Sequence, residues 1–204
     1  MNDPTSFRTR GYLPHIDAPG AVQFVTFRLA DSLPKSVLDE WRVELTSASD
    51  TERDKEMYRR VESYLDVGHG SQILKNPVAA NIVLESLIYA HEHWCAVHAL
   101  VVMPTHVHVM LGVEAEMPLS EILRRVKNFT ALNIHRKLGM DDGRLWQPEY
   151  FDKIVRDDDH FLKTLEYIEW NPVKAKLCAD PKRWPYSSAN SLVRERLERA
   201  RGSH

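Results

Sequence analysis

Residues 95–112 read CAVHALVVMPTHVHVMLG, and the fold turns on how this stretch is divided. Cys95 to Met103 is almost continuously apolar and rich in β-branched side chains, the pattern of a buried strand. Pro104-Thr105 breaks the run, and Val107 to Gly112 resumes it. So short a break leaves room only for a tight turn, so the two segments pair as an antiparallel hairpin.

Outward from the hairpin, helices and single strands alternate. On its N-terminal side, Asn76-Pro77 caps a helix running to about Trp94, with Ile82, Leu84, Leu87, Ile88 and Ala90 on a wide apolar face. Before it lies a charged stretch, Leu38 to Leu65, read as two helices broken near Ser47–Asp50, and before that a strand over Val22–Leu29. On the C-terminal side, Pro118 starts a helix with Leu119, Ile122, Val126 and Phe129 on one stripe and Arg124, Arg125 and Lys127 off it. A strand falls within Trp146–Arg156, Asp157–Asp159 cap a helix over about 160–170 that Pro172 interrupts, and a short helical tail follows Trp184-Pro185. The order β-α-α-α-β-β-α-β-α predicts an α+β fold, with helices on one face of an antiparallel sheet. One domain is expected over 1–190, with an irregular lead-in at 1–20 and a helical insertion at about 36–65, then a tail at 191–204.

Composition narrows the function little. The 204 residues carry 27 Lys and Arg against 29 Asp and Glu, so no global basic charge announces a nucleic-acid partner; any such surface must be local. Cys95 and Cys178 form no CxxC pair, which suits a reducing cytoplasm. No apolar run approaches the ~20 residues that span a bilayer. There is no HExxH or GxxxxGK motif.

Chemistry concentrates in two places. On a strand, residues i and i+2 share a face, so His106 and His108 can converge on one cation while Val107 packs into the core. Alone, the pair is also what two ordinary histidines at a strand end look like. On the last long helix, Tyr167 and Asn171 are spaced i, i+4 and share a face; alone, they read as a core-capping tyrosine and a helix stop before Pro172. Together, two imidazoles and an amide oxygen make three ligands that leave room for a phosphate, with a tyrosine one turn away. Phenolate is both a good nucleophile and a tolerable leaving group, which suits reversible strand transfer. His91 and His93 fall on different helix faces, and His98, His135 and His160 lack partners at a useful spacing. For phosphate contact the candidates are Arg124, Arg125 and Lys127 on the 118–139 helix, with Lys153, Arg156 and Lys174 flanking the tyrosine segment.

The runs VVMPTHVHVML (101–111), WQPEYFDKIVRD (146–157) and YIEWNPVKAKL (167–177), with LDVGHGSQIL (65–74) and RWPYSSA (183–189) flanking them, resemble the REP-associated tyrosine transposases. These form a single-tyrosine branch of the HUH endonuclease superfamily, and the resemblance spans about residues 10 to 190. It implies a ferredoxin-like α+β fold with the HUH pair on a central strand. It also implies cleavage of single-stranded, hairpin-forming DNA through a 5′-phosphotyrosine, leaving a free 3′-hydroxyl. Carried over by position, His106, His108 and Asn171 hold Mg²⁺ or Mn²⁺ and Tyr167 is the nucleophile, in a cytoplasmic monomer or homodimer. The sequence departs at Thr105, where Asn is expected in many relatives, which bears on the geometry around the ligands. Two readings compete: a catalytically silent hairpin-binding regulator, and a metal-dependent nuclease or RNA-binding domain whose tyrosine stacks on a base.

Overall fold

The computed structural model describes residues 6–9, 14–18, 20–114, 116–141 and 143–201. Its centre is a four-stranded antiparallel sheet of β3 (Val22–Arg28), β4 (Cys95–Val102), β5 (His106–Val113) and β6 (Phe151–Ile154), in the order β4-β5-β3-β6. The hairpin forms as expected: Val102 pairs with Val107, and Met103 N–H donates to the His106 carbonyl at 2.9 Å. β5 is therefore interior, flanked by β4 and β3. The order strand, helix, hairpin, helix, strand, with the first and third strands adjacent, is the ferredoxin-like arrangement.

Strand alternation divides the side chains between two cores. Val25, Phe27, Val107, Val109 and Leu111 face α3 (Pro77–His93) and α4 (Leu119–Leu138). Phe24, Met110, Ala99 and Val101 face α5 (Asp158–Lys174), which contributes Ile168. Helices thus cover both faces of the sheet, two of the long ones on one side and α5 on the other. A separate small core of Leu33, Met57, Val61 and Leu65 holds α1 (Lys35–Glu44) against α2 (Asp50–Val67), the helical insertion.

Local signals set the ends of these helices. Asn76 accepts from Val78 N–H at 2.9 Å with Pro77 at the first helical position, and Asp157 accepts from His160 N–H at 2.7 Å. Ser49 and Glu52 form a capping box that opens α2, and Gly68, at φ 80°, closes it.

Several expectations are corrected. The lead-in contains a two-stranded ribbon, β1 (Ser6–Thr9) with β2 (Pro14–Asp17). α5 runs through Pro172 to Lys174, because a proline in the last turn removes one N–H without blocking the carbonyls that follow. The expected helical tail forms as α6 (Ser191–Arg201), and its Val193 and Leu197 are buried in the main core, while His91 Nε2 pairs with the Leu197 carbonyl at 2.9 Å. On α4 the buried stripe is rotated: Leu123 and Lys127 lie inside it, and Phe129 is 54% exposed. His204 and Pro4 lie outside the described residues, as does most of 1–13.

Candidate active site

His106 and His108 leave β5 on the same face, on the side of α5 and α2, and both are fully buried. Antiparallel register places Thr26 opposite His108 and Arg28 opposite His106. Each imidazole is held at Nδ1 by a threonine hydroxyl: Thr26 Oγ1 lies 2.8 Å from His108 and Thr105 Oγ1 2.9 Å from His106. The opposite ring nitrogens converge, with the two Nε2 atoms 3.0 Å apart. Burial pushes His106 down to about 3. Burial also lowers His108, helped by His106 and Lys174. Both rings are therefore neutral, the form that offers a lone pair to a cation.

Tyr167 reaches the pair from α5. Its ring packs edge-on against His108, with centroids 5.5 Å apart, and Phe24 stacks on His108 at 5.6 Å while meeting the Tyr167 ring edge-on at 5.8 Å. The Tyr167 hydroxyl donates to Glu62 Oε2, and the same oxygen lies 3.4 Å from His108 Nε2. Tyr58, one turn before Glu62 on α2, packs against Phe151 with centroids 4.2 Å apart and meets Phe24 edge-on at 6.4 Å. Burial pushes the Glu62 carboxyl up to about 8 against the opposing effect of the Tyr167 hydrogen bond. Burial, reinforced by the Glu62 charge, also raises Tyr167, so the phenol is held protonated beside its acceptor. Lys174 Nζ lies over the Tyr167 ring at 4.6 Å.

Asn171, one turn along α5, is completely buried, and neither its amide oxygen nor its amide nitrogen has a hydrogen-bond partner among the described residues. An orphaned buried amide is costly, so this one is built to meet something else. Among the described residues no three His, Cys, Asp or Glu side chains stand at metal-ligand spacing.

The candidate DNA contacts divide by location. Lys153, exposed on β6, is the Cα partner of Phe24 and so shares the histidine face; Arg156 follows it, and Lys174 adjoins Tyr167. Arg124 and Arg125 belong to α4, across the sheet, where both pair with Glu121 at 2.7 Å and Arg125 lies over Trp94. Lys127 is buried, donating to the Gln147 and Pro148 carbonyls at 3.0 and 3.1 Å beside the rings of Phe27 and Tyr150. Sequence reasoning missed Glu62, Thr26 and Arg28. Their signal was available as polar residues on inward positions: Thr26 and Arg28 alternate with Phe27, and Glu62 lies one turn from Tyr58 and Leu65 on an apolar stripe.

The family model described as "Transposase IS200 like" matches residues 71–171, a stretch that takes in both histidines, Tyr167 and Asn171. Over that stretch the chain is similar to the IS200-like transposases. A Haemophilus influenzae protein described as a REP-associated tyrosine transposase is 26% identical to this chain over 109 residues. That match covers 48% of this chain and 61% of the relative's length. A solved structure of a REP-associated tyrosine transposase bound to a REP hairpin shares the fold, with a TM-score of 0.51 and 16% identity over 89% of this chain and 81% of the other. The family match begins after α2, so Glu62 lies outside the matched stretch. No helix among the described residues is long and apolar enough to cross a membrane.

Proposed function

We propose that this chain is a metal-dependent single-stranded DNA endonuclease and strand transferase, acting in the cytoplasm on hairpin-forming repeats through a 5′-phosphotyrosine. The observation that carries the reading is the buried convergence of Tyr167 with His106 and His108 on a single face of the sheet. The orphaned Asn171 amide and the two neutral imidazoles fit a divalent cation, Mg²⁺ or Mn²⁺, that they would hold together. When bound, such a cation polarises the phosphate and offsets the charge that develops there.

The remaining steps belong to the chain's own groups. Above about pH 8, where its carboxyl is ionised, Glu62 Oε2 accepts the Tyr167 proton along the hydrogen bond that already joins them. The phenolate oxygen bonds to phosphorus, the P–O3′ bond breaks, and the departing 3′-oxygen takes up a proton to become the free hydroxyl. Attack by a 3′-hydroxyl on the phosphotyrosine reverses these events and joins strands. Phe24 and Thr26 hold His108 in place, and Lys153, Arg156 and Lys174 supply positive charge along the strand on this face. Arg124 and Arg125 serve only DNA that reaches the far side of the sheet, and Lys127 contributes to the core in preference to the strand.

The test uses labelled hairpin oligonucleotides with Mn²⁺ or Mg²⁺ and a denaturing gel. The wild-type chain yields a covalent protein–DNA band, Tyr167→Phe yields none, and Glu62→Gln slows its appearance by roughly 10²-fold or more while hairpin binding persists. Cleavage that survives Tyr167→Phe refutes the tyrosine nucleophile, and hairpin binding with no wild-type cleavage makes the chain a silent binder.

A further inference from the structure

Beside the histidine pair lies a second cavity, of about 250 Å³, between the end of β3, the α1–α2 pair and the 144–149 loop. It is smaller than the ~300–1,000 Å³ that encloses a whole small molecule, so it suits one part of a longer ligand. Leu33, Met57 and Val61 give it an apolar wall, whereas Arg28, Lys35, Arg42 and Arg144 line it with positive charge against the single carboxylate of Glu149. Arg42 is also ion-paired to Asp39 at 3.5 Å.

Arg28 separates this cavity from a chance hollow. Its side chain is only 7% exposed, and its Nε has no hydrogen-bond partner among the described residues. A buried guanidinium with an unused donor is costly unless an anion completes it. Burial lowers Arg28 to about 10, and the nearby Glu149 charge only partly opposes that. Arg28 is also the cross-strand partner of His106 in the β3–β5 register, so the cavity begins one residue pair from the histidines.

We propose that this cavity is a nucleotide slot, in which one unpaired base of the DNA strand lies against Leu33, Met57 and Val61 while its phosphate meets Arg28 and Arg144. The inference rests on the strand-cleaving reading of the site and adds where the strand runs: from the histidine pair past Arg28 into the angle between α1, α2 and the 144–149 loop. An apolar wall with a cationic rim is how single strands are held without sequence readout, the base packing on one and the phosphate on the other.

Fluorescence anisotropy tests the slot with two oligonucleotides, a blunt hairpin and the same hairpin carrying unpaired thymidines on both sides. The wild-type chain binds the flanked hairpin more tightly. Arg28→Met and Arg144→Ser each weaken that binding roughly tenfold. Each also flattens its dependence of log affinity on log salt by about 0.7, the value of one single-strand phosphate contact, and leaves the blunt hairpin unaffected. Arg144 is exposed on a loop, so its variant keeps the test decisive even where removal of buried Arg28 disturbs the fold. If both variants retain the wild-type preference and salt dependence, the slot is refuted while the cleavage reading stands. If the wild-type chain binds neither oligonucleotide, the hairpin-DNA reading falls and the slot falls with it.

Discussion

Replacing Asn171 by leucine separates a ligand from a structural amide, because the two roles predict opposite signs. Asn171 is completely buried, and both polar atoms of its amide lack partners among the described residues. A buried polar group left unsatisfied costs about 1–3 kcal/mol, and an apolar side chain of similar volume avoids that cost. In chelator, Asn171→Leu is therefore more stable than the wild-type chain by about 1–3 kcal/mol. For a chain of this size each kcal/mol moves the melting temperature by roughly 2–4 °C. Mn²⁺ works against that order. At a concentration about 100 times its dissociation constant, a bound ion adds about 2.7 kcal/mol to the wild-type fold. If loss of the amide ligand weakens binding about 100-fold, the same Mn²⁺ adds only about 0.4 kcal/mol to the variant. Across a Mn²⁺ titration the wild-type chain should thus gain about 2.3 kcal/mol on the variant, so the melts converge, and they cross where the variant's advantage in chelator is below about 2.3 kcal/mol. A variant that melts lower than wild type in chelator and gains the same Mn²⁺ shift refutes the assignment of Asn171 as a ligand.

Two further outcomes follow from the same packing. Thr26→Val removes the hydroxyl 2.8 Å from His108 Nδ1 and is expected to weaken Mn²⁺ binding roughly 10–100-fold by calorimetry; unchanged affinity would show that the threonine does not orient the ring. Lys127, lowered from 10.5 to about 7 chiefly by burial, is neutral in the fold above about pH 7 but charged in the unfolded chain until pH 10.5. The unfolded state then binds the extra proton, so wild-type stability rises with pH between 7 and 10.5 by up to ~1.4 kcal/mol per unit relative to Lys127→Met, and the two run parallel below pH 7. Urea denaturation at pH 6, 7.5 and 9 measures this, and parallel stabilities throughout would show that Lys127 stays charged.

Legibility followed the range of the interaction. The hairpin, the caps at Asn76 and Asp157, and the pairing of Tyr167 with Asn171 are written within a few residues, where alternation, helical spacing and capping chemistry act. The candidate site's face was only half legible, because Thr26, Glu62 and Arg28 arrive from β3 and α2, which sequence places far from the HVH run. α2 has a strongly charged sequence, and the Tyr58–Glu62–Leu65 stripe is a faint signal among solvated carboxylates such as Glu56, which pairs with Arg59 and Arg60. Lys127 misled for the complementary reason. Its place on the Leu123–Lys127–Thr130–Ile134 stripe was open to reading, but a lysine there has no evident partner until Gln147 and Pro148 turn their carbonyls toward it. α6 looked like a tail because its buried side is narrow, and only the groove beside α3 gives Val193 and Leu197 somewhere to go.

The two threonines explain why a departure at position 105 is compatible with the site. A cation needs both Nε2 lone pairs directed inward, so both Nδ1 atoms must carry protons and donate to Thr26 and Thr105. Two inward lone pairs 3.0 Å apart repel one another until a cation enters, so the ring tautomers must be able to change as it does. A hydroxyl can follow that change, since it donates or accepts by rotation about a single bond without moving its oxygen. An amide in the same place offers either its oxygen or its nitrogen, and exchanging them requires the side chain to flip. Thr105 therefore holds His106 in position through either tautomer. The cost is directional strength, because a rotating hydroxyl fixes the proton less firmly than a carbonyl oxygen would. In this chain that lost stiffness is offset at His108 by the stacked Phe24 ring and the Thr26 hydrogen bond, so one ring of the pair is rigidly set and its neighbour adjusts to it.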